Sequence, residues 1–544
     1  MRLKRGMFSF FLVLFLVYPA VTHAIPAFSR QYQTSCTTCH NDFPKLNDFG
    51  KAFKDAGFKF PADDETFLKV PPTMLGSPAQ KDQFPHVIWP GSIPGITPIG
   101  LRMNTYFQYS GQNRNNFNTL AGPPGTVAPF IPQTDFDAGF FSIFAAGNFG
   151  SDIAFWVDDD ISVSGDNSAG GLGDGYLKFV NIGRFFKLPN NALHLRAGHF
   201  ELELPFTQAR SIDISPYDIY SQFNLGAQNP AFVKQQNVNN QFTMADGANG
   251  VEFSGGLHTG GYYWVVALVD QNTSGVTQSA NTSVFIPSPT GGANGGVGFA
   301  SDANFKDMYA RFAYRFNLEQ DRKSRHAIQA AGATGPRDHT YLTLGSYYFY
   351  GRSVQRFSGT DLVGAPAVLT AREPFYRVGG DFTFNYRTLQ IYGLFMYGHD
   401  TNQLPVDITG TLVPLPLTST SPAPVGFVHG TPAAFNGGFI QADYMPLPWI
   451  MTIMRWDAVN SGPDRINGLG INTATPFVVP FRSTRNRFTP GVQFLIHANI
   501  KASFEYQFRP QQFVTVVTNP ITGLPVAVQQ FRTNTAVAGL EWVF

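Results

Sequence analysis

From about Leu101 to the C-terminus, apolar and polar residues alternate along the chain with a period of two. Residues 500–509 and 307–316 show the pattern most clearly, with apolar or aromatic side chains at every second position and polar or charged ones between. Successive side chains of a strand point to opposite faces. These segments therefore predict strands that have one apolar and one polar face.

About sixteen such segments begin near residues 101, 138, 151, 175, 193, 248, 261, 305, 340, 375, 389, 434, 449, 486, 500 and 532. The connections between them are expected to alternate strictly in length. Short ones fall at 149–150, 258–260, 386–388, 446–448 and 497–499, and long ones near 111–137, 205–247, 271–304, 400–433 and 460–485. Short turns at one end and long loops at the other are typical of an outer-membrane β-barrel. A soluble sandwich or jelly roll would not explain long loops at one end only.

Two further features concern individual strands. The chain ends in an alternating segment with a terminal Phe544, which resembles the C-terminal strand that bacterial outer-membrane barrels present to their assembly machinery. In the segment 193–204 the apolar positions change face at Gly198-His199. A β-bulge at Gly198 or a wrongly placed strand boundary would explain that change.

Composition and charge agree with a membrane barrel. Of the 544 residues only 14% are charged, 15% are aromatic, and the net charge is +1; ordinary soluble domains carry about 25% charged residues. Beyond the N-terminus no apolar run approaches the roughly 18 residues of a membrane-spanning helix. No cluster of Lys and Arg indicates nucleic-acid binding.

The first 24 residues are typical of a secretory signal peptide. A basic region with Arg2 and Lys4 precedes an apolar core at 7–17, and small residues stand near the expected cleavage site at Ala24. The predicted organisation is a signal peptide (1–24), a small N-terminal domain (25–96) and the barrel (97–544).

Both cysteines of the chain lie in the motif Cys36-Thr37-Thr38-Cys39-His40. C-x-x-C-H is the attachment pattern of haem c, in which two thiols bind the porphyrin covalently and the adjacent His is the proximal iron ligand. Export through the signal peptide meets the requirement of such attachment. The alternatives are a local disulfide and a redox dithiol, which would need a βαβ context that the surrounding sequence lacks.

A helix is expected after the motif. Asn41 or Asp42 would cap it, Pro44 would lie in its first turn, and apolar residues recur every three to four positions until Gly57. Gly50 inside a helix costs on the order of 1 kcal/mol. Close approach of a flat ligand to the backbone is one explanation for this glycine.

The distal haem ligand has three candidates. Met74 lies in a proline-rich segment, His86 follows Pro85, and the third possibility is an open site. Met/His ligation would raise the reduction potential relative to bis-His ligation.

The N-terminal motifs resemble the fused monohaem cytochrome-porins of bacterial outer membranes, whose best-known members are iron(II) oxidases. The resemblance rests on the segments 26–31, 36–40 and 44–54 and on Gly57. It implies an all-β transmembrane barrel with a small α-helical c-type cytochrome domain in or near the lumen. Cys36 and Cys39 would hold one haem c, and His40 would ligate its iron.

The function that this resemblance implies is an outer-membrane electron conduit. Electrons would pass between an extracellular donor, such as Fe(II) or a mineral, and a periplasmic cytochrome or other carrier, which is electron transfer of the iron(II) oxidase type. Asp158-Asp159-Asp160, with Asp166 and Asp174 nearby, would attract such a cation, although charge runs are usually solvated. Two alternatives stay open: a conduit that exports electrons, and a diffusion porin with a haem-containing gate.

Overall fold

The computed structural model describes most of the chain in segments. These are residues 27–61, 64–86, 91–110, 134–137, 141–161, 172–207, 211–221, 244, 247–270, 306–318, 340–360, 366–401, 403–411, 425–429, 432–461, 484–508, 513–518, 525–531 and 534–543. The predicted signal peptide and Phe544 lie outside them. Within these residues no helix is both long and apolar enough to cross a membrane.

Short helices and two small hairpins precede the barrel. In chain order they are α1 (Ala27–Tyr32), a 3-10 helix (Cys36–Thr38), β1 (His40–Asp42), β2 (Lys45–Leu46), α2 (Asp48–Asp55), α3 (Asp64–Phe67), β3 (Thr73–Met74), α4 (Pro78–Gln83) and β4 (Ser92–Ile93). β1 pairs with β2, and β3 pairs with β4.

A closed antiparallel barrel follows in the described residues. We call each of its sixteen positions a stave; fifteen staves are single strands and one consists of two consecutive strands. They are β5 (Ile99–Ser110), β6 (Thr134–Asp137) continued by β7 (Phe141–Phe149), β8 (Ile153–Ile161), β9 (Leu172–Phe179), β10 (His194–Glu201), β11 (Gly247–Gly256), β12 (Gly261–Asp270), β13 (Asp307–Asn317), β14 (Tyr341–Thr360), β15 (Pro366–Tyr386), β16 (Leu389–Asp400), β19 (Ala433–Leu447), β20 (Ile450–Ser461), β21 (Thr484–His497), β22 (Ile500–Gln507) and β25 (Thr535–Val543). The last strand pairs with β5, from Thr535 opposite Ser110 to Val543 opposite Arg102, and closes the ring.

Two further hairpins belong to long connections. They are β17 (Gln403–Val406) with β18 (Gly426–His429), and β23 (Phe513–Thr518) with β24 (Pro525–Phe531). Fifteen of the sixteen staves begin within about four residues of the predicted positions; β15 instead begins at Pro366, well before the predicted 375. The predicted all-β barrel of about sixteen strands is confirmed.

The predicted strict alternation of connection lengths is wrong at three places. The connection 180–193 between β9 and β10, at the short-turn end, is longer than the connection 162–171 between β8 and β9 at the opposite end. Residues 318–340 join β13 to β14 at the end where most turns are short, whereas only 361–365 join β14 to β15 at the opposite end. β14 and β15 have 20 and 21 residues. Their hairpin therefore projects beyond the neighbouring strands, and a short turn is enough to close it.

The outer surface of the barrel is apolar and carries aromatic side chains near both ends. Exposed aromatic residues lie at the short-turn end (Phe149, Tyr262, Phe316, Tyr386, Trp449) and at the long-loop end (Tyr109, Phe136, Phe488, Tyr506, Phe508). Two such girdles flank the apolar band of a membrane barrel. Closure also pairs the backbone of every stave, as a lipid environment requires.

The lumen of the barrel is packed with side chains. Each of the sixteen staves contributes at least one inward-facing residue that is less than a tenth exposed. These residues are not only polar, because aromatic side chains such as Tyr309, Phe349, Phe375 and Tyr392 are buried there as well. The prediction that each strand has one apolar and one polar face is therefore incomplete.

The predicted β-bulge at Gly198 is absent from β10. Its register continues without a shift on both sides, with Gly198 opposite Gly250 and Tyr176. Arg196 and Phe200 both remain on the inner face and are buried. The same face of β10 therefore points inward along the whole strand. The sequence pattern changes because the residues that face the lumen become apolar from Phe200 onward.

Candidate functional site

The two cysteines lie at either end of a single 3-10 turn. Ser35 begins the turn, with its hydroxyl oxygen accepting the Thr37 N–H at 3.3 Å, and the Cys39 N–H donates to the Cys36 carbonyl at 3.2 Å. Both side chains are free thiols. Burial raises the pKa of Cys36, and burial together with Cys36 raises the pKa of Cys39 to about 12.

His40 begins the small hairpin formed by β1 and β2. One ring nitrogen, Nδ1, lies 3.1 Å from the Pro44 carbonyl oxygen. Burial lowers the pKa of His40 to about 4, so its imidazole is neutral at physiological pH. A neutral ring that donates through Nδ1 to a carbonyl presents Nε2 as the acceptor, which is the usual arrangement of a metal-ligating histidine.

The helix after the motif begins later than the sequence pattern predicts. Asn47 caps α2, with its side-chain oxygen accepting the Gly50 N–H at 2.9 Å, so the predicted cap at Asn41 or Asp42 is wrong. Asn41 and Asp42 belong to the hairpin strand β1 instead. The predicted end at Gly57 is confirmed: Gly57 has φ +71°, and the Phe58 N–H donates to the Phe53 carbonyl in a Schellman motif.

Two residues attach α2 directly to the cysteine motif. The Asn47 side-chain amide donates to the Thr38 carbonyl at 3.0 Å. A Cβ at Gly50 would lie 2.2 Å from the Cys39 carbonyl oxygen. The close approach that requires this glycine is thus made by the backbone of the motif itself.

An aromatic cluster packs beside the motif. Phe28 lies 5.0 Å from Phe53 and 5.1 Å from Phe58, and Tyr32 lies 4.5 Å from Phe60, between ring centroids. Phe58 also contacts Trp156 of the barrel wall. Phe53 belongs to α2, whose Gly50 meets the Cys39 carbonyl, so this apolar surface lies beside the cysteine motif.

The predicted distal ligands lie on later elements. Met74 is on β3 opposite Ser92, with half of its side chain exposed, and His86 follows α4 and is exposed. Among the described residues, no hydrogen bond or ion pair joins either side chain to His40. The distal ligand therefore stays a prediction.

The predicted acidic cation site is not assembled in the described part of the chain. No group of three or more His, Cys, Asp or Glu residues there lies close enough together to hold a metal ion. Asp158 instead accepts the Asp174 backbone N–H at 2.6 Å and the Trp156 indole N–H at 3.1 Å. Asp166 and the side chain of Asp160 lie outside the described residues.

Residues 27–61, which we call the plug, lie inside the barrel at its short-turn end. Ion pairs and hydrogen bonds join the plug to three staves and to the turn between β11 and β12. They are Lys45 with Asp443 (2.7 Å), Asp48 with Arg315 (2.6 Å), Asp55 with His258 (2.6 Å), and the Lys501 ammonium with the Phe43 carbonyl (2.6 Å). Lys54 pairs with Glu203 of a second lumen segment at 3.1 Å.

That second lumen segment consists of residues 202–207 and 211–221; we call it segment 202–221, and it enters from the long-loop end. The sequence pattern assigns most of it to an external loop, but its residues are largely buried between the barrel walls. Arg455 donates to the Ser215 carbonyl at 2.9 Å, and Glu505 accepts the Ser215 hydroxyl at 2.7 Å. The only sequence signal for this inward course is the run of apolar residues Phe200, Leu202 and Leu204 on the inner face of β10 and beyond.

Comparisons with known proteins found no matching family model and no matching curated sequence. Similar solved structures include the outer membrane channel DcaP of Acinetobacter baumannii (10% identity, 82% of this chain and 96% of that chain, TM-score 0.41). OprB of Pseudomonas putida is 9% identical over 82% of this chain and 94% of its own, with TM-score 0.42. OmpT, an outer membrane protein of Vibrio cholerae, is 9% identical over 84% and 99%, with TM-score 0.38. The descriptions of DcaP and OmpT state an outer-membrane location for those two proteins.

Proposed function

We propose that this chain is an outer-membrane electron-transfer protein whose plug carries one haem c. Cys36 and Cys39 would bind the haem covalently, and His40 would be its proximal ligand. The haem would supply a one-electron redox couple between an extracellular donor, such as Fe(II), and a periplasmic carrier. The barrel would place that couple within the membrane and shield it from lipid.

The observation that carries this proposal is the arrangement of His40. Its Nδ1 lies 3.1 Å from the Pro44 carbonyl oxygen, and its ring stays neutral because it is buried. Both features suit a haem ligand. Two free thiols separated by one 3-10 turn adjoin it, so the donor set fits covalent haem attachment.

The packed lumen favours electron transfer over free diffusion of solutes. Arg455 and Asp457 are 0% exposed, and Arg487 is 2% exposed. In a wide water-filled pore such side chains would be exposed to water. Their burial indicates a packed lumen in which each charge has a partner, because burying an unpaired charge costs free energy. A gated diffusion porin is the second candidate, since segment 202–221 narrows the lumen from the long-loop end.

The direct test is covalent haem in protein purified from outer membranes. After denaturation, the pyridine haemochrome spectrum of the parent is expected to report one haem c per chain. The double variant Cys36→Ala, Cys39→Ala is expected to lose it, whereas the control Thr37→Ala, Thr38→Ala keeps both thiols and should retain it. Haem in the double variant, or none in the parent, would refute the assignment.

Electron donation is tested on the same preparation. We expect Fe(II) to reduce the oxidised haem from the outer side of proteoliposomes, with the reduction followed in the visible spectrum. An absence of reduction at every pH tried would remove iron oxidation from the proposal. Retained haem that is reduced only by a periplasmic-side donor would favour electron export.

A further inference from the structure

Two side chains of the barrel wall hold the hairpin that carries His40, one on each side of Pro44. Lys501 of β22 donates from Nζ to the Phe43 carbonyl at 2.6 Å and lies 4.8 Å from the centroid of the Phe43 ring. Asp443 of β19 accepts from Lys45 Nζ at 2.7 Å. Pro44, whose carbonyl orients the His40 ring, stands between these two anchored residues.

Each anchor is itself well defined by its surroundings. Lys501 is 2% exposed and pairs with Glu541 at 3.0 Å, so its ammonium has both a charged partner and the Phe43 carbonyl. The Lys45 ammonium also lies 3.9 Å from the centroid of the Tyr392 ring. Buried charges with complete sets of partners occupy a narrow range of positions.

The two anchors come from different parts of the ring. β19 and β22 are separated by β20 and β21 in the barrel, so the hairpin is held between two walls and not against one. A two-stranded hairpin of this size has few backbone hydrogen bonds of its own and is marginally stable in isolation. The position of the Pro44 carbonyl therefore depends on the barrel.

We propose that Lys501 and Asp443 are positioning residues that set the orientation of the His40 imidazole through Phe43, Pro44 and Lys45. This inference rests on the proposed function, because it concerns the proximal ligand of the haem. A carbonyl that accepts the second ring N–H of a ligating histidine raises the basicity of the ligand. Loss of an anchor displaces that carbonyl, weakens the hydrogen bond and makes His40 a poorer donor, which favours the reduced iron.

The test compares Lys501→Met and Asp443→Asn with the parent as full-length holoprotein in detergent. Lys54→Met is the matched control: it removes a plug ion pair with Glu203 but leaves residues 40–46 and their anchors intact. Redox titration is expected to show about a tenfold shift toward reduced haem at a fixed ambient potential in both anchor variants, or 59 mV for one electron. The control is expected to match the parent.

A second measurement does not depend on the haem. Hydrogen–deuterium exchange of peptides covering 40–46 should become faster in both anchor variants and stay unchanged in Lys54→Met. If Lys501→Met does not assemble, Asp443→Asn still decides the question, because it removes the negative charge that pairs with Lys45 and keeps a side chain of the same shape.

The outcomes separate the two proposals. A parent with covalent haem whose potential is unchanged in assembled anchor variants would overturn the positioning role alone. Faster exchange in 40–46 without a change of potential would also overturn it. A parent without covalent haem would overturn the proposed function and the positioning role together.

Discussion

Gly50 lies in the first turn of α2, where the helix meets the backbone of the cysteine motif. A methyl group at this position would stand 2.2 Å from the Cys39 carbonyl oxygen and 2.9 Å from Leu46 Cδ2. Sequence alone indicates that a glycine inside a helix needs a reason, but it suggests a ligand as that reason. The structure supplies the backbone of Cys39 instead, which no local pattern reports.

Gly50→Ala is expected to loosen the contact between α2 and the motif. Overpacking of this kind typically costs about 1–3 kcal/mol, and we expect the upper part of that range because the clash involves backbone. The free energy of local opening of residues 36–55, measured by hydrogen exchange, should fall accordingly. Lys51→Ala, one position along the same helix, should change it little; equal protection in both variants would contradict the steric argument.

His258 and Asp55 form a pH-sensitive contact between the short-turn end of the barrel and the plug. Burial alone would lower the pKa of His258, but the charge and hydrogen bond of Asp55, with Glu203 at 3.6 Å, raise it. Burial would raise the pKa of Asp55, but His258 and Lys178 lower it. The charged pair therefore persists at mildly acidic pH.

The sign of the pH dependence follows from these two shifts. The contribution of His258 is complete below its ordinary pKa of about 6.5 and is lost as the pH rises through its raised pKa. The contribution of Asp55 is complete above its ordinary pKa of about 3.9 and is lost as the pH falls through its lowered pKa. We expect α2 to be best protected from hydrogen exchange, after correction for intrinsic rates, between the ordinary pKa values of Asp55 and His258, and to lose protection as the pH rises through the raised pKa of His258. His258→Gln should abolish the loss at high pH; an unchanged profile in that variant would contradict the assignment.

At the scale of elements, residues 40–46 show where the helical pattern misleads. Phe43, Leu46 and Phe49 or Gly50 recur at helical spacing, yet residues 40–46 form β1 and β2, and the helix begins at Asp48. The apolar spacing predicts burial correctly but does not identify the partner, because Phe43 is buried against Lys501 of the barrel. A contact between residues that are hundreds of positions apart in the chain leaves no pattern in the local sequence.

Segment 202–221 is the second element that the sequence pattern misses. A long connection between two strands predicts an external loop, and only packing in the lumen explains why Ile212, Tyr217 and Ile219 are almost fully buried. Tyr217 stacks on Phe439 of β19 with 4.0 Å between ring centroids. The segment is therefore part of the core of the barrel, and its anchors should matter for stability.

Arg455→Met tests those anchors. Arg455 pairs with Asp457 at 2.9 Å and Asp213 at 3.4 Å, and all three side chains are almost fully buried. Removing one partner of a buried pair costs about 3–5 kcal/mol, because the remaining charge is left uncompensated; Arg487 still contacts Asp457, so we expect about 3 kcal/mol. The measurement is the free energy of unfolding in urea after refolding into micelles.

The matched control for Arg455→Met is Lys306→Met. Lys306 pairs with Asp270 at 2.8 Å but is 46% exposed, and exposed pairs contribute about 0–1 kcal/mol. A loss of stability in Arg455→Met no larger than in this control would mean that segment 202–221 does not depend on its buried ion pairs.

At the scale of the whole molecule, the period-two pattern predicts the sixteen staves because alternate side chains of every strand face the outer surface and the lumen, which favour different residue types. The pattern works best where the inner face is charged, as in β22 with Lys501 and Glu505 buried and Phe504 exposed. It fails at Gly198, where the charged Arg196 and the apolar Phe200 are both buried on the inner face of β10. Connection lengths are harder to predict. The hairpin of β14 and β15 extends beyond the neighbouring strands, and the thickness of the membrane does not set the length of that extension.

The two lumen segments together determine what the barrel can conduct. The plug occupies the short-turn end and segment 202–221 lies above it, with Lys54 and Glu203 joining the two.

A pore filled in this way has little space for hydrated ions, so the parent protein is expected to show low conductance in planar bilayers. The triple variant Lys45→Ala, Lys54→Ala, Arg315→Ala removes three of the ion pairs of the plug and should raise the conductance several-fold, in steps that reflect release and return of the plug. The outer-surface variant Lys306→Ala is the control and should conduct like the parent. A parent that already conducts as well as the triple variant would show that the described packing does not seal the lumen and would favour the diffusion porin.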